Sequence, residues 1–483
     1  MLNPQLLMIL RSLSKNESES FNDFLYSPFF NKSKTIHKFW NAIKIYSPAY
    51  DDPKLTRENL FLTIFPGKEF NYGTIMNLML SFSGMLEEFL QISFHKADKF
   101  QHDYNSLVFS IVRYYPDLFK KKYSKIIKDF EKLSEGMEYH YLYKYQILRL
   151  ASSFSNFETK KTKSLFDQGD SLIYFFLIHL FQVSYNIKTF SLSENYEQKG
   201  NLTEEMINLI DIDILMKKIK ANSSHDFQIV DLYYNLYLCR MYPDNDEHFY
   251  SYKKKLFITQ NLLHEFEFEA LVSGFIALLD TRSFSGKEGT LKETSDLYNY
   301  IVENKIRLGF TENRISKNYF GIILKNFFNA SDIKFAEIFY NDNFNHLIEK
   351  DRESIKNLYS AYLCYTNNEF GKALEHSSMI KTDTDKFRMY VKEFQLKCYF
   401  ELNETEHFGY TLKAYRELVY RSETINSDKK EYTKIFLNVI NSLFEYKVFK
   451  KEKLDDVRIN IKENKMLNKE WIIQKLKEIE SVK

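Results

Sequence analysis

Residue patterns that carry out chemistry are rare in this chain of 483 residues. The Gly-Lys-Glu triplets at 67–69 and 286–288 lack the hydroxyl residue and the preceding glycine that a phosphate-binding loop requires. The stretch HEFEFE at 264–269 lacks the second histidine of a zinc-protease helix. Asp211 and Asp213 are two residues apart, so on a helix they point to different faces and make a poor acid–base pair. We therefore predict a protein that is not an enzyme, has no metal site and needs no cofactor.

One stretch, 113–130, combines cations with aromatic rings. Such a surface could pair with phosphates and stack on bases, which would make the protein a nucleic-acid-binding adaptor. The alternative, which the sequence favours, is a helix whose lysines face water while its rings face the core. The candidate nucleic-acid-binding cations are Arg113, Lys120, Lys121, Lys122, Lys125 and Lys128.

Three tyrosines, Tyr359, Tyr362 and Tyr365, recur at intervals of three and would share one stripe of a helix. Core packing would explain them, because tyrosine buries well when its hydroxyl finds a partner. A binding groove would use the same rings as anchors for a protein or peptide. Both interpretations stay open at the level of sequence.

The elements that position these residues are predicted to be helices. Only 13 Gly and 7 Pro occur, which is few for the many tight turns of an all-β or doubly wound fold. Apolar residues recur at helical spacing along nearly the whole chain. Ser14 and Glu17 match a capping box, and Thr56 can cap a helix that ends before Pro66. The predicted fold class is therefore all-α.

Local breaks divide the predicted helices into regions. Residues 1–95 form a helical domain, and 98–280 form an irregular helical array. Asp244 and Asp246, next to Pro243, are predicted to end one helix and cap the following one. The stretch 281–290 contains two of the few glycines and is predicted to be a loop.

A helix–turn–helix unit recurs in the second half of the chain. Around Ala373, an aromatic-rich helix ends at an Asn-containing turn and a second helix begins near Phe370. The matching positions are Ala336 upstream and Phe408 downstream, at spacings of 37 and 35 residues. Two helices per unit at this period indicate a helical-repeat array.

The unit at 353–382 resembles the tetratricopeptide repeat, with Ala361 in the small-residue region of the first helix and Ala373 at the helix crossing. The resemblance is best over 310–425, and the whole chain is similar to uncharacterised bacterial proteins with a small N-terminal helical domain. It implies repeats over 290–449, capping helices over 450–483 and a concave surface. That surface would use outward positions of 314–328, 353–366 and 388–401.

The predicted function is a non-catalytic scaffold or adaptor that binds a protein or peptide on this concave face. The net charge of +2 gives no general nucleic-acid signature. Three cysteines, an odd number without close pairing, fit a reducing compartment, so we expect the cytoplasm. The most apolar later stretch, 171–185, is too short to cross a bilayer, so no membrane association is expected.

Overall fold

The computed structural model describes residues 2–130, 139–154, 161–191, 200–311, 314–423, 425, 427–451 and 454–481. Over these residues the chain is all-α, as the sequence predicts, apart from one two-stranded hairpin. None of the described helices is both long and apolar enough to cross a membrane. The chain divides into two compact units, and the first takes its described residues from 1–131 and 147–161, the second from 132–146 and 162–483.

The first unit has two hydrophobic cores. Its helices are α1 (Pro4–Ser12), α2 (Lys15–Tyr26), α3 (Lys34–Ile43), α4 (Arg57–Ile64), α5 (Tyr72–Ala97), α6 (Lys99–Val112), α7 (Pro116–Phe130) and the second half of α8 (His140–Ser153). Helices α1 to α5 enclose Phe21, Trp40 and Phe82, all fully buried. The smaller core joins α6, α7 and α8 around Phe119, whose ring centroid lies 4.8 Å from that of Phe154.

The second unit begins with the first half of α8 and continues through a long series of helices. These are α9 (Lys161–Ser191), α10 (Leu202–Leu209), α11 (Ile212–Asn222), α12 (Ser224–Met241), α13 (Asp246–Ile258), α14 (Glu265–Ser285), α15 (Thr290–Glu303), α16 (Lys317–Asn329), α17 (Ile333–Asn343), α18 (Glu349–Thr366), α19 (Phe370–Ser378), α20 (Asp385–Leu402), α21 (Thr405–Arg421), α22 (Ser427–Phe449), α23 (Leu454–Glu463) and α24 (Lys469–Ser481). Short 3₁₀ turns lie at Lys44–Tyr46, Gln260–Leu262 and Phe344–His346. Strands β1 (Phe310–Thr311) and β2 (Arg314–Ile315) pair antiparallel.

Most consecutive helices from α11 to α23 pack on one another. Helix α16 contacts α17 and α18, α18 contacts α19, and α20 contacts α21. Helix α24 instead packs against α22 and against the much earlier α14. A backbone hydrogen bond from Met466 N to Phe284 O, 2.9 Å long, fixes the chain just before α24 beside the end of α14.

The turn between α18 and α19 follows from its sequence. The amide of Asn368 donates to Tyr365 O and that of Glu369 donates to Cys364 O, which is the Schellman pattern that closes a helix. Asn368 takes the left-handed conformation, with φ of 61°, that this pattern requires. Helix α19 then begins at Phe370, where the sequence predicts it, and Ala373 is fully buried.

Local start and stop signals are mostly confirmed. Ser14 and Glu17 form the predicted capping box, and Thr56 caps α4. The cap of α13 was predicted wrongly. Asn245, rather than a neighbouring aspartate, accepts the amides of Glu247 and His248, since an Asn side chain meets the same need as an Asp side chain.

The loop predicted at 281–290 is shorter than expected, because α14 continues to Ser285. Gly286 ends this helix with φ of 64°, a left-handed value that favours glycine. A Cβ at this position would come within 2.5 Å of the Lys469 side chain. Gly286 is therefore needed both for its backbone conformation and for the close approach of the segment that begins α24.

Candidate functional site

A cavity of about 440 Å³ lies between α24 and the helices α16, α18 and α20, and we name it the inner chamber. Its volume falls in the range of ligand pockets. The three stretches predicted to form a concave surface, 314–328, 353–366 and 388–401, each contribute to its lining. The charged and aromatic side chains that matter most are Lys325, Tyr362, Tyr365, Tyr390, Glu393, Phe394, Lys397, Glu401, Trp471 and Lys475.

Three side chains form a buried charged cluster in the chamber wall. Glu393 Oε1 lies 3.0 Å from Lys325 Nζ and 3.3 Å from Lys397 Nζ, so one carboxylate serves two ammonium groups. Lys397 Nζ also donates to Asn468 Oδ1 at 3.0 Å. Glu393 is only 4% exposed and Lys397 only 6%. Charges this deeply buried are retained only when they are paired and hydrogen-bonded.

Two opposing effects, burial and the neighbouring charges, set the pKa values of the cluster. Burial would raise the pKa of Glu393, but the charges of Lys325 and Lys397 outweigh it and hold that pKa at about 2. Burial lowers the pKa of Lys397 to about 8, although Glu393 opposes the shift. The carboxylate is therefore ionised at neutral pH, and Lys397 loses its proton at a lower pH than an exposed lysine does.

Helix α24 contributes a second set of contacts at the chamber. The Trp471 indole N–H donates to the Tyr365 hydroxyl at 3.2 Å, and its ring centroid lies 5.3 Å from that of Phe400. Lys475, one turn further along, lies 2.7 Å from Glu401 Oε1. Lys397 Nζ is 5.3 Å from the Trp471 ring centroid, a cation–π distance that links the two sets of contacts.

The tyrosine stripe is divided between core and chamber. Tyr362 is buried and packs between Phe328 and Phe394, with ring centroids 5.0 and 5.1 Å away. Tyr359 stacks on Tyr340 at 4.2 Å and does not line the chamber. Tyr365 borders the chamber, but its hydroxyl already bonds Trp471 and Glu401. The stripe therefore supports the chamber wall more than it offers free anchors.

The basic-aromatic segment lies in the first unit, across the end of α6 and the length of α7. Phe119 is fully buried and Tyr123 half-buried, as expected for rings that face a core. Tyr114 and Tyr115 differ, because both are exposed at the turn between the helices. The segment's cations, Arg113, Lys120, Lys121, Lys122, Lys125 and Lys128, are exposed except Lys122, which is half-buried.

Sequence reasoning missed the residues at the centre of the chamber. Lys325, Glu393, Lys397 and Trp471 come from three helices that only tertiary packing brings together. One local signal was present: Glu393 and Lys397 stand four residues apart, and therefore on one face, in helix α20. Within the described residues, no group of three or more acidic, His or Cys side chains is placed to hold a metal ion.

Comparison with protein-family models, with curated proteins and with solved structures finds no match for this chain.

Proposed function

We propose that this chain is a non-catalytic scaffold or adaptor that binds a peptide segment of another protein in the inner chamber. The open volume of the chamber beside a fixed charged cluster is the observation that carries the proposal. Protein interiors pack densely and have few voids larger than a water molecule. A space of about 440 Å³ next to Glu393 and Lys397 is therefore better explained as a receptor volume than as core.

The chemistry of the lining favours a peptide over a polyanion. The chamber wall contains three lysines and four glutamates, so neither sign of charge dominates. Tyr365, Phe394 and Trp471 provide apolar surface between these charges. A peptide offers amide groups to the charged side chains and an apolar side chain to the rings, whereas nucleic acid would need an excess of cations.

We infer that α16 to α21 form an array similar to tetratricopeptide repeats. Support comes from the pairing of α16 with α17, α18 with α19 and α20 with α21, and from the complete burial of Ala336 and Ala373 at the repeat reference positions. In such an array the first helix of each pair lines the concave face. The corresponding helices here, α16, α18 and α20, line the inner chamber.

The test is affinity capture from the native host with mass spectrometry, comparing wild type with two variants. Asn329 is exposed at the end of α16 and lines the chamber, so Asn329→Trp should fill part of the volume without disturbing the core. Asn460→Trp places the same side chain at an exposed position of α23 away from the chamber. We expect that one partner protein is recovered with wild type and with Asn460→Trp, and that the same protein is not recovered with Asn329→Trp. Identical recovery with all three proteins would contradict the proposal.

A further inference from the structure

The turn between α6 and α7 exposes three aromatic rings and a valine beside cations. Val112 is 75% exposed, Tyr114 63% and Tyr115 50%. Phe109 is also exposed, and its ring centroid lies 6.1 Å from that of Tyr115. We name these four residues, together with the basic face of α7, the aromatic–basic corner. A group of exposed rings at one turn is a feature of interaction sites more than of ordinary surface.

The backbone at this corner takes a conformation that its sequence does not favour. Tyr114 N donates to Ile111 O and Tyr115 N donates to Ser110 O, which forms a Schellman motif at the end of α6. Tyr114 occupies the left-handed position of that motif, with φ of 55°. Glycine is the usual residue there, and a bulky side chain is a genuine outlier. The Tyr114 ring packs edge-on against Phe154, with ring centroids 6.2 Å apart, and most of its surface stays exposed.

The cations of α7 form an ordered face. Lys121, Lys125 and Lys128 recur at helical spacing on the side opposite the buried Phe119 and Ile126, so they make one exposed stripe about 10 Å long. None of these three lysines makes an ion pair with another described residue. Their positive charge is consequently available to a ligand.

We propose that the aromatic–basic corner binds single-stranded nucleic acid, independently of the inner chamber. Lysines that follow a helix would neutralise successive phosphates, and exposed tyrosine rings would stack on bases that a duplex keeps covered. The complementarity of charge and the exposed rings together select this occupant.

The test measures binding of a fluorescein-labelled oligo(U) of about 20 nucleotides to the full chain by anisotropy, over a series of salt concentrations. Affinity should fall with salt, and each neutralised phosphate contributes about −0.7 to the slope of log K against log salt concentration. The triple variant Lys121→Gln, Lys125→Gln, Lys128→Gln should reduce that slope by about 2 and weaken binding at least tenfold at low salt. The matched control, Lys217→Gln, Lys218→Gln, Lys220→Gln, changes three exposed lysines of α11 and should bind as wild type does.

Tyr114→Gly tests the ring separately from the charge. It should leave the thermal stability nearly unchanged, because glycine suits the left-handed position and this offsets the lost contact with Phe154. It should weaken oligo(U) binding about tenfold. Tyr420→Ala removes a ring of α21 that is 79% exposed, against 63% for Tyr114, and should leave affinity unchanged.

Three results would overturn the proposal. They are no binding of oligo(U) at low salt, equal losses in the α7 and α11 triple variants, and binding of a duplex or of polyglutamate as tight as that of oligo(U). Vesicles of phosphatidylcholine with phosphatidylserine that bind more tightly than oligo(U) and compete with it would reassign the corner to an anionic lipid surface. None of these outcomes bears on the inner chamber, which lies in the other unit.

Discussion

Replacing Glu393 with Gln is the sharpest perturbation of the inner chamber. The substitution keeps the size of the side chain and removes the charge that lies 3.0 Å from Lys325 Nζ and 3.3 Å from Lys397 Nζ. Two buried ammonium groups would then have no carboxylate between them. Breaking a buried ion pair by removing one partner costs about 3–5 kcal/mol. The lowering of the Glu393 pKa from 4.5 to about 2 corresponds to about 3 kcal/mol, so the two magnitudes agree.

The loss of stability that Glu393→Gln causes should depend on pH in a defined direction. The pKa of Lys397 is about 8 in the folded protein against an ordinary value of 10.5, and Glu393 is one of the groups that keep it from falling further. Without Glu393 the lysine should lose its proton more readily. Between its folded and unfolded pKa values the unfolded state binds more protons, so stability rises with pH. The deficit of Glu393→Gln should accordingly shrink between pH 7 and pH 9.5.

The assay is urea unfolding followed by tryptophan fluorescence. The chain has two tryptophans, so a Trp40→Phe background leaves Trp471, beside Lys397, as the only indole reporter. Glu431→Gln is the control, since its pair with Lys434 is 60% exposed on the carboxylate side and should not affect the midpoint. Adding Lys397→Met to Glu393→Gln should restore most of the lost stability. Two results would refute the assignment of a buried charged cluster. One is a urea midpoint of Glu393→Gln equal to that of Glu431→Gln, and the other is a double variant no more stable than Glu393→Gln alone.

Three further predictions concern the same unit. Between pH 5 and pH 3 wild type should lose about 2 kcal/mol more than Glu393→Gln, since the unfolded chain binds the Glu393 proton at a higher pH than the folded chain does. Urea midpoints at the two pH values check this, and an equal loss in both proteins would contradict it. Tyr362→Ala should lower the free energy of unfolding in urea by about 3–5 kcal/mol, because the ring fills a buried site between Phe328 and Phe394. A loss below about 1 kcal/mol would mean that the ring is not part of the core. Ala373→Trp should overpack the crossing of α18 and α19 and cost about 1–3 kcal/mol, and an unchanged melting temperature would mean that the repeat register is wrong.

Local features of the fold could be predicted because they depend on neighbours in sequence. The capping box at Ser14 and Glu17 and the turn before Phe370 are each set by a few adjacent residues. The cap at Asn245 shows the limit, since several adjacent polar residues met the same requirement and only the final chain path selects one.

The inner chamber could not be predicted in the same way. Lys325 and Trp471 lie far apart in sequence, and the return of α24 to the end of α14 depends on contacts such as Lys469 against Gly286. Spacing places Tyr359, Tyr362 and Tyr365 near one stripe, yet it does not say which neighbour covers each ring. Burial decides between core and binding surface, and burial is a property of the assembled helices.

Photo-cross-linking from inside the chamber tests the central claim most directly. Tyr390 lines the chamber, and Tyr420 is 79% exposed on α21 away from it, so a benzophenone amino acid can replace either residue in the full chain. Irradiation in the native host followed by mass spectrometry identifies the attached peptide. The proposed function predicts that one partner segment is attached at position 390 and not at position 420. Attachment of the same protein at both positions, or at 420 alone, would contradict a peptide-binding chamber.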